Sequence, residues 1–316
     1  MTSQRSRFLL FLLFRCTFYA TNANNIILAD SHCSSCRQNL PETLILDDIS
    51  PFIVGGTDAP RNAYPWIART VVPGATCTAS LIHSDMILTA AHCQATFASG
   101  VLVKPWHFDG RNATFRQVVG QYRFPAYDFD REIITHDLLV LKLNETVPDV
   151  RPVVLNDDPN LPALETAPFM TAIGFGLTGF RGSRPEVLQE APMEYLSRYL
   201  CDLYLKDVSN VDPNEGILCA FSRDGTTSVC NGDSGGPLIA RQNDTIFQVG
   251  LMSFGRQCQS NPYPSGFTRI SYYYDWIQQQ ICYYSSDPPA DCPPRPKPHP
   301  YQVPIRITIQ VCDTMG

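Results

Sequence analysis

Ser228-Val229-Cys230-Asn231-Gly232-Asp233-Ser234-Gly235-Gly236-Pro237-Leu238 surrounds one hydroxyl with three glycines, an aspartate and a cysteine. Glycine admits backbone conformations that a Cβ forbids, and it lets another chain come close. The segment reads as a tight loop with exposed backbone N–H groups around Ser234. A nucleophile beside an oxyanion hole needs those features. A serine hydroxyl is weakly nucleophilic by itself, so the reading turns on whether the chain supplies a base and a carboxylate to orient it.

Outward from this loop the pattern is β. Short strand signals flank it at 238–240, 247–254 and 267–270. Upstream, 78–82 and 86–89 are apolar runs separated by His83-Ser84-Asp85, which predicts a hairpin, and Thr89-Ala90-Ala91-His92-Cys93 follows. Further strands are expected near Val101 and at 116–120, 138–143 and 169–173. Residues 148–168, rich in proline, aspartate and asparagine, read as a link between two halves. A short helix is expected at 197–206. The last element, 272–282, places Tyr273, Trp276, Ile277 and Ile281 on one helical face.

The rest of the chain sets the context. Its 316 residues allow one large core or two small ones, and a net charge of −6 argues against a nucleic-acid partner. Arg5 and Arg7 precede an apolar run at 8–14, and small residues follow by Ala23, so 1–23 reads as a secretory signal peptide. That run is too short to span a bilayer, and no later stretch reaches the ~20 apolar residues required. Twelve cysteines agree with export into an oxidising compartment. Residues 24–52 read as a propeptide. Cys33-Ser34-Ser35-Cys36 has no second C-x-x-C at zinc spacing, so no metal is expected there. From 283 to 316 the chain becomes proline-rich and reads as a solvated tail.

His92, Asp137 and Ser234 are the candidate base, orienting acid and nucleophile. Taken singly they are a core histidine, a strand-end aspartate and a loop serine. Gly232 to Gly236 also fits the G-x-S-x-G elbow of α/β-hydrolases, but those enzymes run serine, acid, histidine. After Ser234 the only histidine is His299, in the proline-rich tail. The order here, with the neighbours Thr89-Ala90-Ala91-His92-Cys93, His136-Asp137-Leu138-Leu139-Val140, Gly232-Asp233-Ser234-Gly235-Gly236-Pro237 and Ile53-Val54-Gly55-Gly56, resembles the trypsin- and chymotrypsin-like serine endopeptidases across about 53–282.

That resemblance implies an all-β fold of two antiparallel six-stranded barrels with a C-terminal helix, and the protease domain at 53–282. It implies that Ser234 attacks the scissile carbonyl, His92 takes and returns the proton, and Asp137 fixes the imidazole. Gly232 and Ser234 supply the oxyanion N–H groups, and Ser253 supports Asp137. Cleavage before Ile53 would free an ammonium that pairs with Asp233, a pairing lost as pH rises through the amine's raised pKa. The residue before Ile53 is Phe52, which a trypsin-like activator would not cut after. Ser228 falls at the floor of the specificity pocket, with Gly255 and Ser265 on its walls. An uncharged floor implies a chymotrypsin-like preference for Phe, Tyr, Leu or Met, with a smaller, elastase-like preference as competitor.

The resemblance also implies disulfides Cys77–Cys93, Cys201–Cys219 and Cys230–Cys258. A further common bridge would need cysteines where Met170 and Ala240 stand. The pairing of Cys33, Cys36, Cys282, Cys292 and Cys312 stays open. Asn112, Asn144 and Asn243 lie in glycosylation sequons. No cofactor is expected. Asp109 stands nearly alone after His92, so no calcium loop is expected. Partners would be protein or peptide substrates and protein inhibitors. The alternative is a catalytically silent binding or inhibitor protein on the same fold.

Overall fold

The computed structural model describes residues 18–22, 25–28 and 55–294, without 72–75, 98–99, 129–133, 165–168, 180–181, 207, 209–210, 212–213, 223–226, 256–257 and 259–263. Most of the expected signal peptide and propeptide, Ile53, and the tail from 295 onward lie outside these residues. The chain divides into two units, Met1–Ile49 and Ser50–Gly316. In the first, β1 (Phe18–Asn22) and β2 (Asn25–Leu28) form an antiparallel hairpin.

The second unit holds two sheets. After β3 (Thr57–Asp58), the strands β4 (Ile67–Thr70), β5 (Thr78–His83), β6 (Met86–Thr89), β7 (Val101–Val103), β8 (Thr114–Arg116), β9 (Val118–Arg123) and β10 (Leu139–Leu143) make a seven-stranded sheet ordered β8-β7-β4-β5-β6-β10-β9. Next come β11 (Val154–Leu155), β12 (Phe169–Gly174), β13 (Gln189–Leu196), β14 (Ile217–Phe221), β15 (Pro237–Gln242), β16 (Thr245–Phe254) and β17 (Ser265–Arg269). The ring β16-β15-β12-β13-β14-β17 closes through an antiparallel β16–β17 pairing. Closure removes the unpaired edges an open sheet would expose. The two-barrel architecture is therefore present with one difference. Among the described residues the end strands of the first sheet, β8 and β9, do not pair with each other, so its ladder is open where the second is a complete ring.

Strand β5 explains how the halves are joined. Its side chains alternate between two faces. Ala79 and Leu81 enter the apolar core of the first sheet. Thr78 and Ser80 face the other half, where the Thr78 hydroxyl donates to the Gly232 carbonyl (2.8 Å) and the Ser80 hydroxyl to Gln248 Oε1 (2.7 Å). Buried polar groups need such partners, so the polar positions of β5 serve to seat the second half. In the second ring, Met170 and Ala240 are cross-strand partners and both are buried. An apolar contact therefore stands at the two positions where the resemblance would have placed a further bridge.

Two helices follow from local signals. Ser197 caps α1 (Arg198–Leu205), its hydroxyl accepting the Leu200 N–H at 3.5 Å. Helix α2 (Ile270–Tyr284) buries Ile270, Tyr273, Ile277, Gln280 and Ile281, spaced for one helical stripe, and runs two residues past the expected end at 282. Its exit is tied down by a Cys282–Cys292 disulfide, a pairing the sequence left open.

The residues after α2 are also clamped electrostatically. Asp85, fully buried between β5 and β6, binds Lys142 Nζ and accepts the Ser285 hydroxyl and the Ser286 N–H, both at 2.8 Å. Burial pushes the Asp85 pKa up, but these bonds, Lys142 first, outweigh it and hold the carboxyl below its usual range. Its contribution is therefore present above the unfolded carboxylate range and lost as pH falls through the depressed folded value. Asp85→Ala is expected to cost about 3–5 kcal/mol near neutral pH, because it strands the partner lysine. Chemical denaturation of wild type and variant checks this, and the gap should narrow on acidification.

Candidate active site

His92 lies in a short 3-10 helix (Ala91–Phe97) directly after β6, and Asp137 lies directly before β10, the strand paired with β6. Antiparallel pairing therefore brings the end of one strand beside the start of the other. His92 Nδ1 is 2.7 Å from Asp137 Oδ2, and the His92 backbone N–H donates to Oδ1 at 3.0 Å. The Ser253 hydroxyl, near the end of β16, donates to the same Oδ2 at 2.5 Å. From β17, the Thr268 hydroxyl donates to the Asp137 carbonyl at 2.9 Å. Strands of both halves thus converge on one buried carboxylate, 2 % exposed, while 35 % of the His92 side chain reaches solvent.

The charges follow from this geometry. Burial raises the Asp137 pKa, but the His92 charge and the hydrogen bonds to His92 and Ser253 outweigh it and hold the carboxyl low. For His92, burial lowers the pKa, while the charge and hydrogen bond of Asp137 raise it further, so the net direction is up.

Ser234 sits on the loop between Cys230 and β15. Its carbonyl accepts the Thr78 N–H at 2.9 Å and lies 3.8 Å from Cys93 Sγ, one residue from His92. Gly235, at φ +76°, is pressed against the strand leading to His92. A Cβ there would stand 2.1 Å from Thr89 Oγ1 and 2.9 Å from the Ala90 nitrogen. Only glycine allows both that conformation and that approach. Among the described residues the Ser234 hydroxyl makes no hydrogen bond, and neither the Gly232 nor the Ser234 N–H donates to an acceptor in the chain. Among the described residues, the N–H groups of Ser234 and of Gly232, two positions before it, are thus left without an acceptor.

Asp233 is turned inward, 3 % exposed, and accepts the Gly176 and Cys230 N–H groups, each at 2.8 Å. Burial, only partly offset by those bonds, raises its pKa to about 6. No cation pairs with it among the described residues, and Ile53 lies outside them. Sequence reasoning missed Gly174 and Gly176. A Cβ on either would come within 2.2 Å of the Asp233 carboxylate. The signal was the doublet Gly174-Phe175-Gly176 at the end of a strand.

Ser228 is buried, its hydroxyl donating to the Val229 carbonyl at 3.2 Å. A Cβ on Gly255 would lie 3.3 Å from Val229 Cγ2 and 3.7 Å from Ser265 Oγ, so the candidate wall positions are neighbours. The Phe254 ring beside them occupies the space a side chain on Gly266 would need, with 2.1 Å between a Cβ there and the ring. That pairing also escaped the sequence reading. Cys77–Cys93, Cys201–Cys219 and Cys230–Cys258 are bonded. The first ties the His92 segment to the start of β5. Asn112, Asn144 and Asn243 are all exposed. Among the described residues no helix is long and apolar enough to cross a membrane.

Comparison with known proteins gives three findings. The sequence model of the Trypsin family matches residues 53–277. Mouse chymotrypsin-C is 29 % identical over 273 residues, covering 78 % of this chain and 95 % of that protein, and a chymotrypsin-like serine proteinase of Haliotis rufescens is 30 % identical, covering 74 % and 94 %. The structure of neuropsin, a serine protease of mouse brain, superposes with a TM-score of 0.63 at 24 % identity over 72 % of this chain and 98 % of its own. That likeness concerns the fold.

Proposed function

Because the chain belongs to the trypsin family and is a serine-type endopeptidase, we propose that Ser234, His92 and Asp137 form its catalytic triad. The observation that carries this reading is the buried Asp137 carboxylate holding His92 Nδ1 beside a glycine loop with two undonated N–H groups. In the proposed reaction Ser234 attacks the scissile carbonyl, and His92 Nε2 takes its proton. The Gly232 and Ser234 N–H groups hold the oxyanion, and His92 then protonates the leaving amine. Water repeats the sequence on the acyl-enzyme. Asp137 stays ionised throughout, which its low pKa favours.

The uncharged, buried Ser228 and the open Gly255 support a preference for large apolar or aromatic side chains before the cut bond. Residues 1–23 would direct export and 24–52 would be removed, making the chain a zymogen. Three exposed sequons support glycosylation. Phe52 fits cleavage by an enzyme that itself prefers aromatic residues, including a second molecule of this one.

A fluorophosphonate attaches to serines activated in this way. Chain cut before Ile53 is expected to be labelled on the peptide containing Ser234, located by mass spectrometry, and uncut chain much less. Absence of label on that peptide after cleavage would remove the triad assignment.

A further inference from the structure

His136 adopts φ +53°, a left-handed conformation that a side chain rarely takes. It immediately precedes Asp137, and the Leu138 N–H donates to the His136 carbonyl at 2.9 Å. That bond spans two residues and closes a tight turn with Asp137 at its apex. The backbone of His136 is thus part of the turn that carries the Asp137 carboxylate.

The neighbour is held from a distant element. His136 Nδ1 is 2.9 Å from the Tyr273 hydroxyl on α2, and the His136 backbone N–H is also directed at that oxygen. The imidazole stacks on Phe124 with centroids 5.3 Å apart and planes at 17°, and Phe124 in turn meets Tyr273 and Trp276 edge-on. The Tyr273 hydroxyl keeps its place because residue 216 is glycine, where a Cβ would stand 2.3 Å from it. Burial first, then the charges of Tyr272 and Asp137, push the Tyr273 pKa up, so the hydroxyl stays protonated and can donate. On the far side of the turn, Thr268 and Ser253 hold the Asp137 carbonyl and carboxylate.

We propose that His136 is a positioning residue for the endopeptidase reaction. Anchored by Tyr273 and Phe124, it locks the turn that aims Asp137 at His92. The inference rests on the triad assignment above. It assigns His136 no contact with substrate and no proton transfer.

The test compares kcat, KM and fluorophosphonate-titrated active-site concentration for cut wild type, His136→Ala, His136→Asn and Tyr273→Phe. His136→Ala is expected to lower kcat at least about tenfold with KM within about twofold, since small misplacements of catalytic groups act on kcat. Tyr273→Phe should act in the same direction with a smaller loss. Asparagine tolerates the left-handed region, so His136→Asn should recover kcat to within about threefold of wild type. A titrated His136→Ala with wild-type kcat overturns the proposal, as does a loss confined to KM. Should His136→Ala not fold, Tyr273→Phe decides alone, and an unchanged kcat there overturns it equally. Wild type that fails to titrate removes the triad assignment and this proposal with it, whereas active wild type with indifferent variants removes only the proposal.

Discussion

Replacing Ser234 by alanine is expected to lower kcat about 10⁶-fold, and replacing Asp137 by asparagine about 10⁴-fold, with KM little changed in both. The first removes the atom that bonds to the substrate. The second acts through a proton. In the native arrangement Oδ1 accepts the His92 backbone N–H, while Oδ2 accepts from Ser253 and His92 Nδ1. An asparagine amide cannot sit at Oδ1, because it would oppose a fixed backbone donor. At Oδ2 it faces Ser253, whose hydroxyl can rotate to accept, and His92 Nδ1, which must then become an acceptor. The ring proton moves to Nε2, and His92 can no longer take the Ser234 proton. Steady-state kinetics of cut protein measure both losses. An Asp137→Asn enzyme with kcat within tenfold of wild type would contradict the assignment. The pH profile follows from the same pair. Asp137 raises the His92 pKa, and only the neutral ring is a base, so kcat/KM should fall as pH drops through that raised value.

Asp233→Asn is expected to lower kcat/KM by about 10³-fold or more even after cleavage before Ile53, because the donors on either side of residue 233 depend on its anchoring. In the structure the carboxylate is buried with two N–H donors and no cation among the described residues, and its pKa is about 6. A folded acid with a raised pKa binds more protons than the unfolded chain between about pH 4 and 6. Stability of the uncut chain should therefore fall as pH rises through that window. Asp233→Asn removes this dependence. So does cleavage, if the new Ile53 ammonium pairs with the carboxylate and holds it ionised. Melting temperatures of uncut wild type, cut wild type and uncut Asp233→Asn from pH 4 to 7 give the comparison. Parallel curves for all three would rule out Asp233 as the group awaiting that ammonium.

The sequence carried the β pattern, the hairpin at 78–89, the two helices and the family, because strand alternation, turn residues and motif neighbours are local signals. The enzyme class follows from the same motifs, which leaves the silent-binder alternative unfavoured. What tertiary structure alone decided lies between segments far apart in the chain. Gly174 and Gly176 are bare because the Asp233 carboxylate fills their space, and Gly216 is bare for the Tyr273 hydroxyl. Asp85 is buried under the residues that follow α2, and Cys282 takes Cys292, only ten residues on, out of the several partners the sequence left open. The left-handed turn at His136 belongs to the same set. A glycine, a cysteine or an aspartate has the same one-letter record whether it faces water or a neighbour. Its role is set by steric exclusion and by desolvated hydrogen bonds, and these exist only once the distant partner has arrived.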